Sequence, residues 1–221
     1  MTGDRIGVTV LAAQHIANVS PQLAQQLGLP PSQRSIALIS TDCDDVTYIA
    51  LDEATKAARV DVVYGRSLYA GAANASTALA GEVIGILAGP DPAEVASGLR
   101  AALSVIESGV SFRSARPDDQ VVYLAHCVSR SGSYLSKQAH VAQGAPLAYL
   151  IAPPVEAIIG LDRALKAADV SLCEFYAPPS ETNFAGGLLT GTESACRIAC
   201  EAFAQAVEGV ANHPQEVIHG I

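Results

Sequence analysis

Apolar residues recur along this chain in two rhythms. Short, nearly continuous apolar runs at Ser35–Ile39, Val60–Tyr64 and Val83–Leu87 sit between Gly, Asp and Pro positions and predict strands. After them Val95, Leu99, Ala102 and Ile106 return at helical spacing and predict one buried stripe. Asp91 is placed to cap that helix, with Pro92 in the first turn, where its missing N–H costs nothing. The later half reads the same way. Strands are predicted at Leu147–Ile151, Val170–Phe175 and Gly187–Thr190. A closing helix follows, capped by Thr192, with Ala195, Ile198, Ala199, Ala202, Phe203 and Ala206 as its stripe. Each half opens with a strand and a short helix: Gly7–Leu11 then Pro21–Leu27, and Val121–Val128 then Tyr134–Gln138. The polar stretch Gly109–Asp119 reads as a linker.

The two series are a repeat. Leu51, Asp52, Ala54, Lys56, Ala57, Ala58 and Val60 are matched by Leu161, Asp162, Ala164, Lys166, Ala167, Ala168 and Val170, each pair 110 residues apart. With 221 residues there is room for two domains of about a hundred each. The order of elements predicts tandem α+β domains, each with helices on one side of a mainly antiparallel sheet. Duplication of a stable fold accounts for the recurring core positions. It does not account for a lysine, expected to be exposed, at the same place in both halves.

Composition narrows the function. Half of the residues are hydrophobic and 16% are charged, which supports a large core and some surface hidden in an assembly. The net charge of −9 argues against nucleic acid as a partner. Met1–Val10 lacks the pattern of a signal peptide, and the apolar runs are too short to span a bilayer, so no membrane partner is expected. Five cysteines without a framework spacing fit a reducing cytoplasm. No nucleophile elbow, phosphate-binding loop or dinucleotide fingerprint occurs, so no catalytic residues, cofactor or enzymatic activity are expected. The Gly-rich segments Tyr64–Leu79 and Tyr176–Gly187 lie between strands and not ahead of helices, which suits gates better than phosphate cradles.

Few side chains are candidates for chemistry. Cys196 and Cys200, four apart on one helix, offer at most half a metal site and read as small core residues. His15, His126, His140, His213 and His219 are scattered and form no zinc pattern, so no metal is expected. Asp42, Asp44 and Asp45 follow a predicted strand and on their own read as turn and cap residues. Like charges this close repel, and a small cation would relieve them.

The segment Asp-x-x-x-Lys-Ala-Ala-x-Val, at Asp52–Val60 and again at Asp162–Val170, resembles the helix-to-strand signature of the bacterial microcompartment (BMC) shell domain. Asp44–Ala50, Val62–Ala72, Ala80–Val83, Ser133–Ser136, Ala152–Glu156 and Pro178–Asn183 extend the resemblance, in order, to the tandem-domain shell proteins of ethanolamine-utilising microcompartments. It implies two circularly permuted shell domains, 1–110 and 111–221. Three chains would form a flat pseudo-hexagonal plate that tiles edge to edge in a microcompartment shell within the cytoplasm. A gated central pore would be bordered by Tyr69, Gly71, Ser180, Thr182 and Phe184, and smaller pores would hold ethanolamine through Asp44, Asp45, Glu82, Phe112 and Asn183. The resemblance assigns Lys56 and Lys166 to plate-edge contacts. The implied partners are further copies of the chain, other shell proteins and small polar metabolites, with cobalamin as a larger ligand. Arg113 and Ser114 follow Phe112 where relatives carry a second aromatic. A tandem small-molecule-sensing regulatory protein of the ACT-like type is the alternative, since such domains are also small, duplicated and α+β.

Overall fold

The apolar runs form strands and the periodic stretches form helices. The computed structural model describes residues 1–67, 83–178, 180 and 182–215. The short strand β1 (Arg5–Ile6) comes first. The series β2 (Val10–Ile16), α1 (Pro21–Gln26), β3 (Ser35–Thr41), α2 (Asp44–Ala57), β4 (Asp61–Ser67), β5 (Val83–Gly89) and α3 (Pro92–Ser108) follows. After β6 (Phe112–Ser114) the series returns as β7 (Val122–Val128), α4 (Ser133–Gln138), β8 (Leu147–Ala152), α5 (Pro154–Ala167), β9 (Val170–Tyr176), β10 (Ala185–Gly191) and α6 (Glu193–Asn212).

The strands make two antiparallel sheets, of order β2-β3-β5-β4 and β1-β6-β7-β8-β10-β9. This is the α+β architecture read from the sequence. In the first sheet β3 lies centrally, Ser35 to Thr41 running opposite Gly89 to Val83, and α2 and α3 pack on it. In the second, α5 and α6 cover β8 and β10. Gly160 of α5 lets the Phe203 ring of α6 lie against the helix backbone, where a Cβ would fall 2.6 Å from that ring.

Two helix starts follow from local chemistry. The Asp91 carboxylate accepts the N–H groups of Ala93 and Glu94, and the Thr192 hydroxyl accepts that of Ala195. Other expectations need correction. β2 begins at Val10, not Gly7, and the expected linker carries β6, which pairs with both β1 and β7. The buried stripe of α6 is Ala195, Cys196, Ala199, Cys200, Phe203, Val207 and Ala211, while Ile198 is exposed. In α3, Gly98 is buried and Leu99 only half-buried.

The chain forms two compact units that differ from a division at residues 110 and 111 in two segments. Residues 7–111 and 131–144 make one unit. Residues 1–6, 112–130 and 145–221 make the other. β1 joins the later unit by pairing with β6, and α4 joins the earlier one by packing on α2.

Candidate functional site

Asp44 and Asp45 open α2 and are buried. Negative side chains in a first turn are favoured by the exposed N–H groups there. Cys43 at the cap offers no side-chain capping bond to the helix, and Asp44 serves locally instead. Its Oδ1 accepts the Asp45 N–H at 2.8 Å, and its Oδ2 accepts the Ser67 hydroxyl at 2.7 Å. The strand end beneath is polar as well. Thr41 and Thr47 hydroxyls lie 2.7 Å apart, so that one donates to the other, and both lie within hydrogen-bond distance of the Cys43 carbonyl. Asp42 Oδ1 accepts the Thr9 N–H. The pair therefore sits at the sheet end where β4 stops and β5 begins, since Ser67 and Thr41 both stand opposite Val83. Glu82, Tyr69 and Gly71 lie outside the described residues.

Further along α2 the repeated motif has a role that sequence reasoning missed. Asp52 is fully buried. Its carboxylate accepts the backbone N–H groups of Gly132 at 2.6 Å and Leu135 at 2.8 Å. Thr55 Oγ1 accepts the Ser133 N–H at 3.0 Å. The six-residue α4 has Gly132 at its cap and no capping side chain of its own, so α2 supplies the acceptors for its first turn. Only glycine fits at 132, because a Cβ would lie 2.3 Å from Thr55 Oγ1 and 2.5 Å from the Asp52 carbonyl. Tyr134 packs on Tyr48 with ring centroids 6.0 Å apart, and burial pushes its hydroxyl up to about 12. Burial also holds the Asp52 carboxyl above the usual carboxylate value, against the pull of the Leu135 and Gly132 N–H groups and of Lys56. The available signal was an Asp repeated within an apolar helix face.

The two lysines of the repeat are not equivalent. Lys56 pairs with Glu53 and lies 3.8 Å from Asp52, leaving its side chain only 14% exposed, which corrects the expectation of an exposed group. Lys166 pairs with Asp162 at 2.7 Å and remains 70% exposed. It borders an open groove of about 450 Å³ between α5 and α6, lined also by Arg163, Ala167, Ala202, Gln205 and Ala206.

Phe112, Asn183, Ser180, Thr182 and Phe184 belong to the other unit. The rings of Phe112 and Phe184 pack with centroids 5.7 Å apart. Asn183 adopts a left-handed backbone (φ 62°), which asparagine tolerates better than most residues, and its N–H bonds the Ser180 carbonyl at 3.1 Å. Ser180 Oγ is buried and has no partner among the described residues.

The BMC domain family model matches residues 35–115. The chain is 65% identical, over 97% of its length and 99% of the relative's, to the bacterial microcompartment shell protein EutL of Clostridium perfringens. The crystal structure of the ethanolamine utilization protein EutL from Leptotrichia buccalis has 62% identity and covers 98% of this chain, with a TM-score of 0.96 over that whole protein. This chain belongs to the EutL family of bacterial microcompartment shell proteins. A monoclinic crystal structure of EutL from C. perfringens agrees equally well, at 63% identity, a TM-score of 0.96 and full coverage of both chains. The regulatory-domain alternative finds no support among these EutL relatives. In the EutL frame the acidic pair, the aromatic pair and the two lysines are this chain's candidate residues. Among the described residues no group of three His, Cys, Asp or Glu side chains is arranged to hold a metal ion, and no helix is long and apolar enough to cross a membrane.

Proposed function

We propose that this chain is a structural subunit of a microcompartment shell of the ethanolamine-utilising type, located within the cytoplasm. Three copies form a pseudo-hexagonal plate, and the plates tile with other shell proteins edge to edge. The observation that carries this reading is near-full-length identity of 65% with a EutL shell protein, combined with a doubled α+β unit. Two units per chain make six positions from three copies. The plate acts as a barrier and pore and not as an enzyme.

In this reading Asp44 and Asp45, with Glu82, Phe112 and Asn183, line the small pore and hold protonated ethanolamine. Buried carboxylates attract its ammonium, and an aromatic face adds cation–π attraction. Binding is weak, as passage requires easy release. The segments that contain Tyr69, Gly71, Ser180, Thr182 and Phe184 border the central pore, and Lys56 and Lys166 mark the two plate edges.

Sedimentation velocity at micromolar concentration should give a trimer, and negative-stain microscopy of concentrated protein should give flat sheets or tubes. A stable monomer or dimer, or discrete particles at all concentrations, would overturn the plate.

A further inference from the structure

α2 meets β4 at two successive rungs. At the first, the Ser67 hydroxyl donates to Asp44 Oδ2 at 2.7 Å. The second lies one turn along α2 and two residues back on β4, where a Cβ at Gly65 would fall 3.6 Å from the Tyr48 ring. The spacings match, since four helical residues rise about 6 Å and two strand residues about 6.6 Å. At this second rung the strand has no side chain. The Gly65 backbone is not left-handed, so space and not conformation calls for glycine there. A glycine inside a strand weakens it and marks the close approach of another group. That group is Tyr134 of α4. Its hydroxyl would lie 2.8 Å from a Cβ at residue 65, and its ring packs on Tyr48 with centroids 6.0 Å apart.

Tyr134 is not free to swing aside. Asp52 accepts the Gly132 and Leu135 N–H groups and Thr55 accepts that of Ser133, so the first turn of α4 is pinned to α2. Tyr48 closes one side of the ring. All of these residues lie in the earlier unit. Tyr134 is thus a spacer, wedged between strand and helix one rung from the Asp44 carboxylate. That carboxylate is held at both oxygens, Oδ1 by the Asp45 N–H and Oδ2 by Ser67. A carboxylate already held in place meets a cation without a further ordering cost, and freeing it forfeits that advantage.

We propose that Tyr134 is a positioning residue for cation binding at the acidic pair: it sets the gap between α2 and β4 at which Ser67 holds Asp44. It acts through packing and does not touch the ligand. This role rests on the small-pore reading above and adds to it the residue that prepares the acidic wall.

Calorimetric titration with ethanolamine tests it, each variant being measured well below its melting temperature so that a changed affinity reports the site and not the fold. Tyr134→Ala removes the spacer and should weaken binding roughly 3- to 10-fold, the range set by the loss of one hydrogen bond. Tyr134→Phe keeps the ring and should bind as the wild type does. Gly65→Ala drives a Cβ into the Tyr134 hydroxyl and should weaken binding as Tyr134→Ala does. In the double variant Gly65→Ala/Tyr134→Phe that hydroxyl is gone, and the new Cβ meets the ring carbon Cζ at an ordinary 3.5 Å. The double variant should therefore recover wild-type affinity. Where Tyr134→Ala does not fold, the Gly65→Ala pair decides alone. Affinity unchanged or tightened in Tyr134→Ala, or still weak in the double variant, overturns the role of Tyr134 and leaves the small pore standing. A wild type that binds no ethanolamine removes the small pore and this role together.

Discussion

Removing the Asp52 carboxylate by Asp52→Ala should loosen α4 far more than it disturbs the rest of the protein. The carboxylate satisfies two backbone donors, at 2.6 and 2.8 Å, on a helix with no capping side chain of its own. Each buried N–H left without an acceptor costs about 1–3 kcal/mol. Part of that loss is offset, because the burial cost of the charge disappears along with the charge. A net loss of about 2–4 kcal/mol remains. At about 1.4 kcal/mol per factor of ten, amides in Ser131–Val141 should exchange at least ~30-fold faster, read by hydrogen exchange with mass spectrometry. The amides of β8 and β10 serve as the internal control. Exchange within about threefold of wild type would refute the reasoning, because the two bonds would then contribute nothing net.

The same carboxylate gives a pH test with a definite sign. Burial raises the Asp52 pKa above its ordinary 3.8, so between that value and the raised one the folded chain binds more protons than the unfolded chain. Stability contributed by this group therefore rises as pH falls through the raised pKa, and it levels off below the ordinary one. Guanidinium midpoints of wild type and Asp52→Asn, compared from neutral pH downward, should show the wild type gaining on the variant. A constant difference would mean that the hydrogen bonds cancel the effect of burial, and a wild type that loses on the variant would mean that they outweigh it.

Two further substitutions test the edge and the small pore. Lys166→Glu should stop lateral sheet growth in the microscope while leaving the trimer and its melting temperature almost unchanged, since the exposed pair with Asp162 is worth at most about 0.5 kcal/mol. Sheets of undiminished size would remove Lys166 from the edge. Asp45→Asn should weaken ethanolamine binding at least ~10-fold by calorimetric titration, and equal affinity in both proteins would reduce the acidic pair to helix-cap residues.

What could be read in advance was what depends on near neighbours. The caps Asp91 and Thr192 were legible because capping is settled within three residues. The central strands were legible because a buried strand must be apolar throughout. In α6 Cys196 and Cys200, read as small core residues, do lie buried, whereas Ile198 was placed in the stripe on its hydrophobicity and faces out. β6 was read as linker because a three-residue strand carries almost no pattern, and its partner β1 is over a hundred residues away. Lys56 was expected to be exposed for the same reason: its neighbour Asp52 is buried under α4, about eighty residues further along the chain.

The motif Asp-x-x-x-Lys shows how duplication and local packing divide one piece of chemistry. In α2 the Asp lies under a helix that the chain supplies itself, so its charge is buried and Lys56 is drawn in to balance it. In α5 no helix among the described residues of its unit covers the same Asp, and Asp162 and Lys166 form an ordinary exposed pair. Val155, Ile158, Ile159 and Leu165 leave the surrounding face of α5 apolar and exposed. One sequence motif thus gives a buried clip in α2 and a surface ion pair in α5, and what separates the two outcomes is whether a short helix lies over the Asp.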